Sequence, residues 1–107
     1  IRDRFTRIGK MAMIGGMTGV LKDVIPFGLS IGNRNYLEGL NLIGLRRAKI
    51  EHKDIFELNK AYKKIFNKKD ILSNIEKLDN TIKANYLVKE MINFIKSDKK
   101  RIIALPK

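Results

Sequence analysis

The chain has 107 residues, 44% of them hydrophobic, which bounds it to one small domain with a modest core, or one domain plus part of another. It carries 23 Lys and Arg against 11 Asp and Glu, a formal charge of +12 that favours an acidic partner: nucleic acid, an anionic membrane, an acidic protein or a phosphorylated ligand. Cysteine is absent and His52 is the single histidine, which excludes disulfides, thiolate metal sites and multi-histidine metal sites, so no metal or cofactor is expected.

No apolar run approaches a membrane-spanning length and no signal-peptide pattern is present, so the chain reads as soluble and cytoplasmic. Charge alone does not choose a partner, and a solvated lysine-rich surface is the plain account of most lysines.

An aliphatic residue recurs every six positions at Ile8, Ile14 and Val20, and the first two are followed at once by glycine. This period fits neither an α-helix nor a two-period strand. It fits a parallel β-helix, in which each hexad forms one side of a coil and its aliphatic residue points inward. Gly15-Gly16 and Gly19 supply tight corners. Lys22-Asp23 reads as a turn and Val24-Ile25-Pro26-Phe27 as a last short strand, with Pro26 at an edge or at its end. Gly32-Asn33 is a turn signal.

From Asn35 the period becomes helical. Asn35 is the expected N-cap of a first helix reaching about Ala48, with Tyr36, Leu37, Leu40, Ile43 and Leu45 on its apolar side. Gly39 and Gly44 weaken it by roughly 1 kcal/mol each, which suggests close packing or binding at its backbone. A second helix covers about Lys53 to Asn67, with Ile55, Leu58, Tyr62 and Ile65 on one stripe and Lys60, Lys63 and Lys64 elsewhere. A third, capped near Asp70, carries Ile71, Ile75, Leu78 and Ile82. A fourth spans about Asn85 to Ser97, with Leu87, Val88, Met91, Ile92 and Ile95 apolar. Arg101 to Lys107 is a tail. The expected class is α+β: one β-helix coil and exit strand over residues 1–33, then a small antiparallel α-helical bundle over residues 34–107. The chain starts at Ile1 rather than Met, and the coil is incomplete. The expectation is therefore a C-terminal part of something longer.

Gly15-Gly16-Met17-Thr18-Gly19-Val20, Asp23-Val24-Ile25-Pro26-Phe27, Gly32-Asn33-Arg34 and Gly39-Leu40-Asn41-Leu42-Ile43-Gly44-Leu45-Arg46-Arg47 form a combined pattern. It resembles the C-terminal region of the bacterial acyl-carrier-protein–UDP-N-acetylglucosamine O-acyltransferase family. The likeness is strong over about Phe5 to Arg47, and weaker signals such as Asn59-x-Ala61-Tyr62-x-x-Ile65 extend it.

That resemblance implies a left-handed β-helix that trimerises, with helices lying against neighbouring subunits and active sites between subunits. It implies transfer of a 3-hydroxyacyl group from acyl carrier protein to the 3-hydroxyl of UDP-N-acetylglucosamine, the first step of lipid A assembly. A histidine general base performs it from coils upstream of residue 1; His52 is not at its position, so residues 1–107 hold no catalytic residue and do not complete the chemistry alone.

On the same resemblance, Asn41 and Arg47 match positions near the nucleotide sugar, Arg47 at its phosphates, where a planar guanidinium fork pairs two oxygens. On sequence alone Arg46 and Arg47 are the end of a helix, where cations oppose the dipole. Asn41 and Arg47 are six apart and do not share a helical face, so convergence needs unwinding near Gly44 or approach from the helix end. Gly16 matches a position lining the acyl groove and equally makes a coil corner. Met13 and Met17 are groove candidates, although methionines at such spacing are more often core. Arg34 matches a position near the acyl end. The chain departs from the family pattern at Asp3-Arg4-Phe5, where many members have His-Gln-Phe, at Ile43, where some have Glu, and at Ala48, where a second arginine stands.

The acidic carrier protein is a natural partner for the positive surface, with Lys60, Lys63, Lys64, Lys68 and Lys69 steering the encounter. Two other readings compete. One is a non-enzymatic basic helical module that binds nucleic acid or an acidic protein, although no zinc-finger spacing, aromatic RNA platform or arginine-dense recognition helix is evident. The other is a trimerisation remnant without catalysis.

Overall fold

The computed structural model describes residues 7–15, 22–31, 36–67, 70–97 and 103–106. Two short strands, β1 (Met13–Ile14) and β2 (Gly28–Ile31), pair in parallel, Met13 opposite Leu29 and Ile14 opposite Ser30. An isolated bridge sets Ile8 parallel to Val24. Every partner lies sixteen positions further on, so the chain turns once and stacks on itself. Main-chain bonds join the rungs, from Val24 N–H to the Arg7 carbonyl (3.0 Å) and from Gly9 N–H to the Val24 carbonyl (2.8 Å).

The hexads locate this coil but do not describe it fully. Three whole hexads would separate partners by about eighteen residues. Ile8 is 46% exposed, and among the described residues its one rung partner is Val24. Ile14 is half-buried, Met13 is half exposed rather than core, and Val20 lies outside the described residues. Asp23 is not a turn residue; it is buried and bridges Ile103. The expected strand Val24–Phe27 stops early, since Pro26 has no N–H to donate, and Pro26-Phe27 form a turn before β2 begins. The Gly32-Asn33 turn lies outside the described residues.

The first expected helix needs a larger correction. Its front half is a strand, β3 (Tyr36–Leu40), antiparallel to β2. Leu29 faces Gly39 and Ser30 faces Leu37, so Glu38 is an extra residue that bulges the strand. The bulge turns Leu37 and Leu40 to the same side, and both are buried. Gly39 has φ 129, which no helical residue adopts. The cap is therefore Asn41 rather than Asn35, and the helix itself is α1 (Leu42–Arg47).

The remaining helices are α2 (His52–Ile65), α3 (Ile71–Glu76), α4 (Asn80–Lys83) and α5 (Tyr86–Ser97). α2 buries Ile55, Leu58, Ala61 and Ile65 at three- and four-residue spacing, and packs on α3, α4 and α5. The single third helix is in fact α3 and α4. The chain tightens at Lys77-Leu78, with Leu78 N–H on the Ile75 carbonyl, and Asp79 caps a new helix through Thr81 N–H. Ile75, Leu78 and Ile82 still face the core across this break. Asn85 caps α5 with its Oδ1 on Leu87 and Val88 N–H, while its Nδ2 reaches the Asp54 carbonyl and Glu57. Buried Asn74 donates to the Ile65 carbonyl and so satisfies the end of α2.

One apolar core runs from Ile25, Phe27, Leu37 and Leu40 through Leu45 to the stripes of α2 to α5. The tail closes it: Ala104 is buried, its N–H bonds the Asp23 carbonyl, and the Leu105 carbonyl accepts from Leu37 N–H.

Candidate functional site

Asn41 stands where the coil meets the helices. Its backbone N–H donates to the Phe27 carbonyl at 2.6 Å and its Nδ2 to the Met11 carbonyl at 2.9 Å. Its Oδ1 accepts from Gly44 N–H at 3.1 Å, which caps α1. A Cβ at Gly44 would fall 2.4 Å from Asn41 Nδ2, so the glycine gives this amide its room. The backbone approach expected around Gly44 is therefore made by a residue of the same chain.

Arg46 and Arg47 occupy the last turn of α1, both exposed, where their charges oppose the helix dipole. α1 is continuous through Gly44, so Asn41 and Arg47 lie at opposite ends of a six-residue helix, about 9 Å long. Six residues of helix turn through about 600°, so the two positions share no helical face. Gly16, Arg34, Lys68 and Lys69 lie outside the described residues, as do Met17 and Asp3-Arg4-Phe5.

Lys60, Lys63 and Lys64 are exposed on the face of α2 opposite its buried stripe. Lys53 and Phe56 extend that face, Phe56 being 64% exposed with Lys60 Nζ 5.7 Å from its ring centre. Across the helix, Tyr62 is half-buried against Phe66. Burial, and secondarily the Glu38 carboxylate, pushes the Tyr62 phenol above its ordinary value of 10.0.

Sequence reasoning missed the junction at Arg7. Its Nε donates to Asp23 Oδ2 at 2.7 Å and its backbone N–H to Oδ1 at 2.8 Å. The same guanidinium donates to Ser97 Oγ and the Phe94 carbonyl and lies 4.3 Å from the Phe94 ring centre. It therefore ties the coil to the end of α5. Arg7 and Asp23 are sixteen apart, one rung of this fold, whereas the hexads point to about eighteen, so the pairing carries no mark in the sequence.

His52 is exposed at the start of α2, and no cluster of three metal-ligating side chains occurs among the described residues. No helix among them is long and apolar enough to cross a membrane.

A family model for UDP N-acetylglucosamine O-acyltransferase, domain 2, matches residues 23–103. Relatives of the chain carry the name acyl-[acyl-carrier-protein]–UDP-N-acetylglucosamine O-acyltransferase. That of Agrobacterium fabrum is 40% identical over 108 residues, covering 96% of this chain and 39% of its own length. That of Bartonella henselae is 36% identical over 105 residues, covering 97% and 38%. Among solved structures, the Arabidopsis UDP-N-acetylglucosamine acyltransferase superposes with a TM-score of 0.87 at 30% identity, over 99% of this chain and 40% of that one. The chain thus spans about two fifths of the length of the proteins it matches. With 81 consecutive positions inside the family model, this chain belongs to the UDP-N-acetylglucosamine O-acyltransferase family.

Proposed function

We propose that this chain is the C-terminal part of an enzyme that moves a 3-hydroxyacyl group from acyl carrier protein to the 3-hydroxyl of UDP-N-acetylglucosamine, the first step of lipid A assembly. One observation carries the reading: relatives named for this acyl transfer match 96–97% of the chain. In the reaction a histidine base takes the sugar hydroxyl proton, the oxygen attacks the thioester carbonyl, and the carrier thiol leaves. The chain's own contribution is binding, and His52 is not the base.

In this reading the stacked rungs of residues 7–31 are the end of a left-handed hexapeptide prism, in a cytoplasmic homotrimer with sites between subunits, and the helices form an antiparallel bundle. Arg47 faces the nucleotide-sugar phosphates. Its exposure and its place at a helix end, free to turn outward, support that role. Gly16 and Arg34 belong to the acyl groove. Lys60, Lys63 and Lys64 steer the acidic carrier, helped by their common exposed face on α2.

The test is acyl transfer by the protein as its gene encodes it, supplied with 3-hydroxyacyl carrier protein and UDP-N-acetylglucosamine. Ester formation is expected; none at saturating substrates overturns the proposal. Arg47→Ala is expected to raise the KM for the nucleotide sugar about tenfold. Reversing charge at Lys63 and Lys64 is expected to slow carrier association several-fold at low salt. An unchanged rate rejects the docking face.

A further inference from the structure

Asp23 is held by two parts of the chain that lie far from it in sequence. Its carboxylate accepts from Arg7 twice, from Nε at 2.7 Å and from the backbone N–H at 2.8 Å. The same guanidinium reaches Ser97 and Phe94 at the end of α5. The Asp23 carbonyl accepts from Ala104 N–H at 2.8 Å, and Ile103 lies parallel beside Asp23. Ile8 and Val24 form the same kind of parallel bridge one rung away. Residues 103–104 thus take the place of a further rung, supplied by the tail after the chain has passed through all its helices. Next to them, the Leu105 carbonyl accepts from Leu37 N–H in β3 at 2.9 Å. The tail is therefore bonded to both ends of the stretch that carries β2, at Asp23 and at Leu37. Its apolar hold is small: Ala104 is fully buried and Ile103 half-buried, whereas Leu105 is 46% exposed.

We infer that residues 103–105 are a strap and Arg7 its latch, a conformational device that seats and releases as one unit through Asp23. The side chain of Asp23 serves the latch and its carbonyl serves the strap, so each arm holds the residue in place for the other. Two main-chain bonds and a buried methyl hold far less than the apolar stripe of α2, so the strap opens while α2 stays packed. In the open form the Asp23 carbonyl and the Leu37 N–H become an uncovered sheet edge, and the end of α5 loses its tie to the coil. The device operates whether or not the chain takes part in the acyl transfer proposed above.

Native-state hydrogen exchange, on the protein as its gene encodes it, reads both arms. The amides of Arg7 and Ala104 are bonded to Asp23, that of Leu37 to the strap, and Leu58 lies in the middle of α2. Arg7, Leu37 and Ala104 are expected to share one opening, at least about tenfold more frequent than that of Leu58 and with a smaller dependence on urea. A single opening common to Leu58 and the strap would overturn the proposal, because nothing would then release short of global unfolding. Two variants test the coupling. Arg7→Met keeps an apolar stem and removes the guanidinium; exchange at Ala104 and Leu37 is expected to rise about tenfold, by the same factor at both. Ala104→Pro removes the N–H that Asp23 accepts; exchange at the Arg7 amide is expected to rise about tenfold. Unchanged Ala104 and Leu37 in Arg7→Met, or an unchanged Arg7 in Ala104→Pro, would show that the arms release separately and would overturn the device. Should a variant fail to fold, the parent protein decides: one rate and one urea slope at Arg7, Leu37 and Ala104 support the unit, and separate slopes overturn it.

Discussion

The rungs between residues 7 and 31 and the helices between residues 52 and 97 share one core but are held by different forces. The rungs carry short strands, left-handed corners and main-chain bonds from one turn to the next. Their buried polar groups, Asp23 and Ser30, lie within the ladder itself. The helices carry almost purely apolar stripes, and their buried polar residues, Asn74 and Asn85, serve helix ends. Register in the first region therefore depends on particular residues at particular places. In the second it depends on a face, which many apolar residues would maintain.

Substitutions can break that contrast. The largest effect is expected at Leu58, fully buried at the centre of α2. Leu58→Ala should cost about 4 kcal/mol, while Leu58→Met should cost less than about 1.5 kcal/mol because it conserves volume. Urea unfolding reads both, and equal losses would show that α2 tolerates no repacking. Next comes Gly9, which is buried where two rungs meet. A Cβ there falls 2.3 to 2.7 Å from backbone atoms of Ile25 and Pro26, which no rotamer change relieves. Gly9→Ala is expected to lose about 3 kcal/mol, although it adds only a methyl group. A loss under about 0.5 kcal/mol would mean that the rungs slide apart easily.

Asp23→Ala is expected to cost about 2 to 3 kcal/mol, since it strips the Arg7 guanidinium and the Arg7 N–H of their buried acceptor. Hydrogen exchange gives the sharper readout. The amides of Arg7 and Ala104 should lose protection first, whereas those in the middle of α2 should follow only the global stability. Uniform loss across both regions would erase the difference between rungs and helices.

The same contrast governs what could be read from the sequence. α2 and α5 were legible because an apolar stripe at three- and four-residue spacing, sustained over twelve to fourteen residues, matches the period of a helix and not that of a strand. β3 was not. Its bulge at Glu38 places Leu37 and Leu40 on one side, which in a sequence looks like a helix turn. The existence of the coil was legible from the hexads, but its sixteen-residue rung was not, and without that number Arg7 and Asp23 do not look like partners. Asn41 stood out within its motif. That its amide spans two corners could not be seen, because φ at Met11 and Phe27 carries no sequence mark of the kind a glycine leaves.

The smallest expected effect belongs to Tyr62, and it lies where the helices meet the strand that follows the rungs: a phenol on α2 under the influence of Glu38 on β3. Folding raises its pKa above 10.0, first through burial and then through the carboxylate, so the folded state holds the phenolic proton more tightly than the unfolded state. The associated stabilisation is complete below the unfolded value, about 10, and is lost as pH rises through the higher folded value. Lysines titrate in the same range, so a single pH profile would mix the two. The difference in unfolding free energy between the parent chain and Tyr62→Phe isolates the phenol. That difference should move against the parent as pH is raised from about 8 to about 11, and Glu38→Gln should weaken the movement without abolishing it, since burial is the larger cause. A difference that stays flat with pH would mean that Tyr62 meets water as freely in the fold as in the unfolded chain, and that β3 and α2 are less closely packed than their shared core implies.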